Sequence, residues 1–325
     1  MGRRIGIVLG GGGVTGAAYE IAALMAIRLA TGWEPDEAEV VIGTSAGSTV
    51  AALIRGGRLD VGAMVREMED EDAVAQRITD TLYPSSRTRS VARWARRGLL
   101  PGLRSPGVSF VLGAPGRFDP IGIGDWIEGL IGPEAAGSWP DRPTVAVAFD
   151  LEERRRVAFG TEQAPDVSLR DAVSASSAVP IIFDPHRIDG RSYVDGGVAS
   201  GTHADLVLAA DQPLDLVIII APMAADEGRH RAYPFESLLD RVGRKALETE
   251  LAQIGSAWPD TDVVVLRPRP AVLAAMRPNP MDPTRAVPTF VATLNSMKQR
   301  LASPEVWAIL REHLGRGEDA LRARN

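Results

Sequence analysis

The chain has 325 residues, of which 45% are hydrophobic and 24% charged, and it is long enough to bury a large core as a single α/β domain. Its formal net charge of −6 argues against general nucleic-acid binding, which usually requires a basic face. The chain contains no cysteine, so disulfides, thiolate metal sites and cysteine nucleophiles are excluded.

The first part of the chain alternates predicted strands and helices. A buried strand over residues 5–9 runs into four glycines, and a helix with an apolar face follows over residues 15–29. A second buried strand is predicted over residues 40–43, before a helix over residues 46–54, and an acidic-faced helix over residues 60–78. This order predicts a mainly parallel sheet that is covered by helices on both faces.

The segment over residues 84–117 has a different composition, rich in proline, glycine and serine. Most of its arginines lie around Trp94 and several leucines; these are Arg87, Arg89, Arg93, Arg96, Arg97 and Arg104. Two interpretations stay open. The segment is either a lid that makes peripheral membrane contact through residues 84–104, or a solvated loop whose arginines balance nearby acidic residues.

Regular patterns return at Asp119-Pro120, which is typical of a helix start. The predicted elements that follow are a helix over 120–130, strands over 144–149 and 156–159, a helix over 168–176, a hairpin over 187–194, strands over 214–220 and 263–266, and helices over 235–257 and much of 284–321. No repeat or clear linker divides the chain. We therefore predict one domain over residues 1–325, with a basic lid-like insert at about 84–117 and a helical C-terminal region from about residue 284.

The N-terminus indicates a core strand more than a targeting signal. The charged start is followed by a short apolar run that breaks into glycines and has no convincing cleavage site. No segment reaches the roughly 20 apolar residues of a membrane-spanning helix. We expect a cytoplasmic protein, with any membrane contact being peripheral.

The strongest chemical motif is Gly43-Thr-Ser45-Ala-Gly47, a Gly-x-Ser-x-Gly pattern between a buried strand and an apolar helix. This is the context of a nucleophile elbow, where the serine lies on a strained turn and small neighbours avoid clashes. The motif predicts Ser45 as a nucleophile, with Gly43 and Gly47 as supporting residues. The alternative is a glycine-rich turn in which Ser45 only caps the helix.

The glycine loop over residues 10–13, followed by Gly16, offers backbone N–H groups that can approach a developing oxyanion closely. Gly11-x-Gly13-x-x-Gly16 also fits the dinucleotide-binding motif, so a nucleotide-binding protein is the alternative function. That motif is accompanied by an acidic residue at the end of the second strand. Here the second strand ends in Gly43-Thr-Ser45 instead, which favours the hydrolase interpretation.

Asp195 follows the predicted hairpin and precedes Gly196 and Gly197. This order predicts a carboxylate in a tight loop at the end of a strand, with the two glycines as supporting residues. Taken alone, however, an Asp-Gly pair is more often a plain turn.

Together these motifs resemble the patatin-like phospholipase family. The matching segments are Gly-Gly-Gly-x-x-Gly at 11–16, Gly-Thr-Ser-Ala-Gly-Ser at 43–48 and Asp-Gly-Gly at 195–197. Ala-Ser-Ser-Ala-Val-Pro at 175–180 resembles the family's lead-in to the last motif. The resemblance covers roughly residues 4–222, and four motifs in order are far more specific than any one of them.

The resemblance implies a three-layer α/β/α sandwich and a Ser-Asp dyad without a catalytic histidine. Asp195 would accept the Ser45 proton, Ser45 would attack an ester carbonyl, and water would hydrolyse the acyl-enzyme. Gly11, Gly12 and Gly13 would form the oxyanion hole. The expected partner is a lipid or acyl-ester substrate, with no metal, cofactor or nucleic acid. An ordinary aspartate is too acidic to act as this base, so a dry site must raise its pKa.

Two positions depart from the family pattern. Thr15 stands where many relatives carry Arg or Lys, which weakens the phospholipase assignment more than the hydrolase assignment. His203 stands where relatives often have Asn, and a structural histidine is favoured over a third catalytic residue. A further hypothesis is a patatin-like scaffold that binds lipid or a partner without turnover, against which intact Ser45 and Asp195 argue.

Overall fold

The computed structural model describes residues 3–59, 70–84, 115–225 and 234–315. Three predicted features therefore lie wholly or partly outside the described residues. They are the basic insert between residues 85 and 114, the first part of the acidic helix at 60–69, and the end of the last helical region at 316–321.

A single eight-stranded sheet forms the centre of the described fold. Its strands are β1 (Ile5–Leu9), β2 (Val40–Thr44), β3 (Thr144–Asp150), β4 (Arg155–Phe159), β5 (His186–Ile188), β6 (Arg191–Asp195), β7 (Leu216–Ile220) and β8 (Asp262–Leu266). Their order is β5-β6-β3-β2-β1-β7-β8, and β4 pairs with β3 off this path. Strands β3, β2, β1, β7 and β8 are parallel, whereas β4, β5 and β6 make antiparallel pairs. The prediction of a mainly parallel sheet is confirmed.

The described α-helices are α1 (Gly13–Thr31), α2 (Ala46–Arg55), α3 (Glu71–Leu82), α4 (Ile121–Ile131), α5 (Pro133–Gly137), α6 (Leu169–Ser176), α7 (Pro234–Ala257), α8 (Pro270–Ala275), α9 (Ala286–Leu301) and α10 (Pro304–Leu314). The sequence patterns did not predict α5 and α8. The predicted bounds of the acidic helix were wrong, because Asp70 has an extended backbone and its carboxylate accepts the Ala73 N–H at 3.0 Å. This cap starts a helix at Glu71 that continues to Leu82.

Alternate residues of the central strands face opposite sides of the sheet. Ile7 of β1 and Ile218 of β7 belong to one buried cluster, which includes residues of α1, α2 and α9. Their neighbours Val8 and Ile219 belong to a second cluster, which includes Leu247 of α7. Burial on both faces is what a sheet between two helical layers requires, and it confirms the three-layer arrangement.

Helix α1 is central to one of these layers. Of the described helices, it alone is long and apolar enough, by length and composition, to cross a membrane. Most of it is buried, and its residues Tyr19, Leu24 and Ile27 belong to the core cluster on that face of the sheet. Its apolar character is therefore explained by packing inside the fold.

Candidate active site

Ser45 lies at the tight turn between β2 and α2, as the Gly-x-Ser-x-Gly motif predicts. Its backbone has φ 55° and ψ −121°, a conformation that costs free energy for any residue with a side chain. A Cβ atom at Gly43 would collide with the Gly47 carbonyl, and one at Gly47 would collide with the Leu9 carbonyl of β1. Both glycines are therefore required for the turn to pack against the sheet.

The backbone of Ser45 is held by three other serines. Its N–H donates to Ser176 Oγ at 2.9 Å, and Ser176 Oγ donates in turn to the Val147 carbonyl oxygen of β3 at 2.6 Å. Its carbonyl oxygen accepts from Ser48 Oγ at 2.7 Å and from Ser177 Oγ at 3.2 Å. Ser176 and Ser177 belong to the matched segment at 175–180, but the sequence patterns assigned them no function.

Asp195 reaches the same place from the end of β6. The Ser45 side chain is close enough to its carboxylate to lower its pKa, and the Gly197 N–H donates to Asp195 Oδ1 at 2.7 Å. Burial raises the pKa of Asp195 to about 6, although the interactions with Ser45 and Gly197 act in the opposite direction. A Cβ atom at Gly196 would collide with the Val147 carbonyl, so this glycine lets the loop approach β3.

The glycine loop follows β1 at the same edge of the sheet, because β1 and β2 are parallel neighbours. The Gly11 N–H donates to the carbonyl oxygen of Gly201 at 2.8 Å, so this hydrogen is already bonded within the fold. The Gly12 and Gly13 N–H groups have no hydrogen-bond partner among the described residues. They lie at the start of α1, where helix amides are unpaired and attract negative charge.

Gly16 supports the loop by close packing. Its N–H donates to the Gly12 carbonyl oxygen at 2.8 Å. A Cβ atom at Gly12 would lie 2.7 Å from the Gly16 Cα. This close approach explains why residue 12 is glycine, whereas a Cβ atom at Gly16 would make only ordinary contacts, at 3.6 Å or more.

His203 is buried beneath the elbow. A hydrogen bond of 3.1 Å joins its Nδ1 to Thr44 Oγ1, and its Nε2 has no hydrogen-bond partner among the described residues. Burial lowers the pKa of His203 to about 4, so the ring is neutral at pH 7. The ring supports the residue next to Ser45, and in the described residues it bonds to neither Ser45 nor Asp195.

Glu250 of α7 fixes the loop that carries Gly201 and His203, and sequence reasoning missed this residue. Its buried carboxylate accepts from Ser200 Oγ at 2.5 Å, from Thr202 Oγ1 at 2.5 Å and from the Ala204 N–H at 2.9 Å. The loop thus presents the Gly201 carbonyl oxygen to Gly11. The signal that the sequence offered was an acidic residue on the apolar face of this amphipathic helix.

A cavity of about 610 Å³ adjoins Ser45, within the range typical of small-molecule sites. Apolar side chains of α1, α2, α4 and α9 form most of its wall among the described residues, including Ile21, Leu53, Ile123, Trp126 and Phe290. Arg58 and Arg77, which are exposed, also line it. The arrangement joins a buried serine to an apolar space that can accept a hydrocarbon chain.

A mainly parallel α/β/α fold with a serine on a strand-to-helix elbow defines the structural class of this chain. The family model described as "Patatin-like phospholipase" matches residues 7–208. The chain belongs to the patatin-like phospholipase family, and the resemblance noted from its motifs is confirmed.

Similar proteins include two mycobacterial relatives. They are named "Uncharacterized NTE family protein Mb1092c" of Mycobacterium bovis and "Uncharacterized NTE family protein MT1093" of Mycobacterium tuberculosis. Each is 29% identical over 218 residues, which cover 63% of this chain and 48% of the relative. The chain therefore spans about half the length of these curated relatives.

Two other similarities are weaker. A "Probable lipid hydrolase 463L" of Invertebrate iridescent virus 6 is 28% identical over 64 residues, or 20% of this chain and 22% of the viral protein. The solved structure of VipD from Legionella pneumophila aligns with a TM-score of 0.39 and 11% identity, over 96% of this chain and 67% of VipD.

Glu250→Gln should lower the free energy of unfolding by about 1–3 kcal/mol, because a neutral amide cannot accept all three hydrogen bonds in the buried loop. The free energy is measured by urea unfolding. Glu248→Gln is the matched control, since Glu248 is exposed on the same helix and should change stability little. Equal effects of the two substitutions would contradict the role assigned to Glu250.

Proposed function

We propose that the chain is a serine-dependent carboxylic ester hydrolase that acts on lipid acyl groups. The observation that carries the proposal is the buried Asp195 carboxylate close to Ser45, which lies at the wall of an apolar cavity. Membership of the patatin-like phospholipase family supports a lipid hydrolase in general. The particular residues and their roles are the proposal.

The proposed mechanism starts with proton transfer from Ser45 Oγ to Asp195. The serine oxygen then attacks the ester carbonyl carbon. Collapse of the tetrahedral intermediate breaks the bond to the alkoxy oxygen, which takes the proton from Asp195 and leaves as the alcohol, so that an acyl-enzyme and an ionised Asp195 remain. Asp195 next accepts a proton from water as the water oxygen attacks the acyl carbon. When the second tetrahedral intermediate collapses and the fatty acid leaves, Asp195 returns this proton to Ser45 Oγ. An aspartate with a pKa of about 6 is a better base than an exposed one and is still ionised at pH 7.

We assign stabilisation of the oxyanion to the N–H groups of Gly12 and Gly13. The hydrogen bond from Gly11 to Gly201 argues against the role first expected for Gly11, which instead supports the loop. Partial positive charge at the starts of α1 and α2 acts in the same direction. Nucleotide binding has less support, because the cavity beside the loop is mainly apolar.

Ser45→Ala should reduce hydrolysis of a p-nitrophenyl ester on the order of 10⁴-fold or more in kcat, because the nucleophilic oxygen is removed. Asp195→Asn should remove nearly all turnover, because the amide cannot accept the serine proton. Circular dichroism checks that both variants are folded. Activity near that of the wild type in folded Ser45→Ala would show that another residue is the nucleophile.

His203→Asn serves as the matched test of the base. It should cost no more than about tenfold in kcat, whereas loss of a general base costs about 10²–10⁴-fold. The physical reason is that the neutral ring supports Thr44 and does not bond to Asp195 among the described residues. If folded His203→Asn were as inactive as Asp195→Asn, the site would be a triad and the dyad mechanism would be wrong.

The rate should depend on pH through Asp195. The carboxylate must be ionised to accept a proton, so kcat/KM for a neutral ester should fall as the pH decreases through about 6, the raised pKa. An exposed aspartate would place this decrease near pH 4. A pH profile of kcat/KM that stays flat down to about pH 4.5 would contradict Asp195 as the base.

We also propose that residues 1–325 form one domain and that the basic insert contacts membranes, although residues 85–114 lie outside the described ranges. Neutralising Arg93, Arg96 and Arg97 together should weaken binding to anionic vesicles by about 1 kcal/mol per residue at low salt and by less at high salt. Cosedimentation with vesicles measures the binding, and turnover of a soluble short-chain ester is the control. Unchanged vesicle binding would leave the insert as an ordinary loop.

A further inference from the structure

A C-terminal segment passes in front of the glycine loop. We call residues 279–282 the strap; they lie beyond residues 7–208, which match the family model. The Thr15 N–H donates to the Pro280 carbonyl oxygen at 3.0 Å. Gly13 has φ 61°, and a Cβ atom there would lie 2.5 Å from the Met281 sulfur. Met281 therefore packs directly against one of the proposed oxyanion donors.

Tyr83 holds the strap from the other side. Its hydroxyl donates to the Met281 carbonyl oxygen at 2.6 Å, and burial raises the pKa of Tyr83, so this donor stays protonated. Its ring stacks on Phe183 with 5.8 Å between centroids and meets the Phe118 ring edge-on at 5.0 Å. Aromatic packing thus fixes the position from which the tyrosine bonds to the strap.

The strap is also ordered by its own side chains. Asn279 Oδ1 accepts the Met281 N–H at 3.0 Å, and Asp282 Oδ1 accepts the Thr284 N–H at 3.0 Å, just before α9. Both backbone polar groups of Met281 are therefore hydrogen-bonded. Its side chain lines the same cavity as Ser45, Tyr83 and Phe183.

We propose that Met281 determines which acyl groups fit beside the reacting carbonyl, so that esters of unbranched acids are preferred. This inference rests on the proposed ester hydrolysis. An oxyanion bound by Gly12 and Gly13 places the carbonyl carbon, and with it the first carbons of the acyl chain, next to Met281. A straight chain can pass along the flexible methionine side chain, whereas a methyl branch at the α-carbon meets it.

The test compares kcat/KM for p-nitrophenyl butyrate and p-nitrophenyl isobutyrate, which differ in branching at the α-carbon. The wild type should prefer butyrate. Met281→Ala should raise the isobutyrate-to-butyrate ratio of kcat/KM about tenfold or more. The reason is that one extra or missing methylene group in an apolar pocket typically changes kcat/KM by about 10–200-fold. Met281→Phe, which fills more space, should lower the ratio. Tyr83→Phe keeps the ring but loses the bond to the strap, so it should raise the ratio by less.

Met223→Ala is the matched control, because Met223 is also partly buried but does not line the cavity. It should leave the ratio unchanged. Equal loss of activity on both esters in folded Met281→Ala would overturn the proposal and leave the strap with a structural role alone. If Met281→Ala does not fold, an unchanged ratio in Met281→Phe has the same meaning. Wild-type protein that hydrolyses neither ester, or Ser45→Ala that hydrolyses both, would overturn the proposed function as well.

Discussion

The backbone of Ser45 is the constraint on which the rest of the site depends. A residue with a side chain at φ 55° costs about 1–3 kcal/mol, and this conformation persists only where its surroundings hold it. Here the N–H of Ser45 bonds to Ser176, and its carbonyl oxygen accepts from Ser48 and Ser177. The absence of side chains at Gly43 and Gly47 lets the same turn pack against β1. Strain in the turn is therefore offset by contacts from three separate segments.

Because the strands of the sheet run in both directions, the Asp195 carboxylate also reaches this turn. The parallel strands β1 and β2 deliver the glycine loop and Ser45 to one edge of the sheet, whereas β6 runs antiparallel to β3 and delivers Asp195 at its own end. The carboxylate is buried there, which raises its pKa to about 6, and the interactions with Ser45 and Gly197 limit the rise. A group with that pKa is largely ionised at pH 7 yet retains more affinity for a proton than an exposed aspartate.

Local sequence patterns predict the parts of the site whose physical requirements are local. Glycine patterns between a strand and a helix predict the elbow at Ser45 and the glycine loop after β1. The Asp-Gly-Gly segment predicts the position of Asp195. The remaining contacts join distant positions and leave no local pattern. Ser176 binds a backbone 131 residues away, Glu250 holds the loop at 200–204, and Met281 reaches Gly13 across most of the chain. The partner of the Gly11 N–H, the Gly201 carbonyl oxygen, is equally distant in sequence, so a glycine motif alone does not reveal it.

The central claim is that Ser45 is a nucleophile activated by Asp195. Incubation of the folded protein with a fluorophosphonate probe, followed by mass-spectrometric mapping of the labelled peptide, tests it most directly. The account predicts that the label lies on Ser45 in the wild type and that Asp195→Asn, still folded, is labelled far more slowly. Labelling of a different residue, or equal labelling rates in the two proteins, would contradict it.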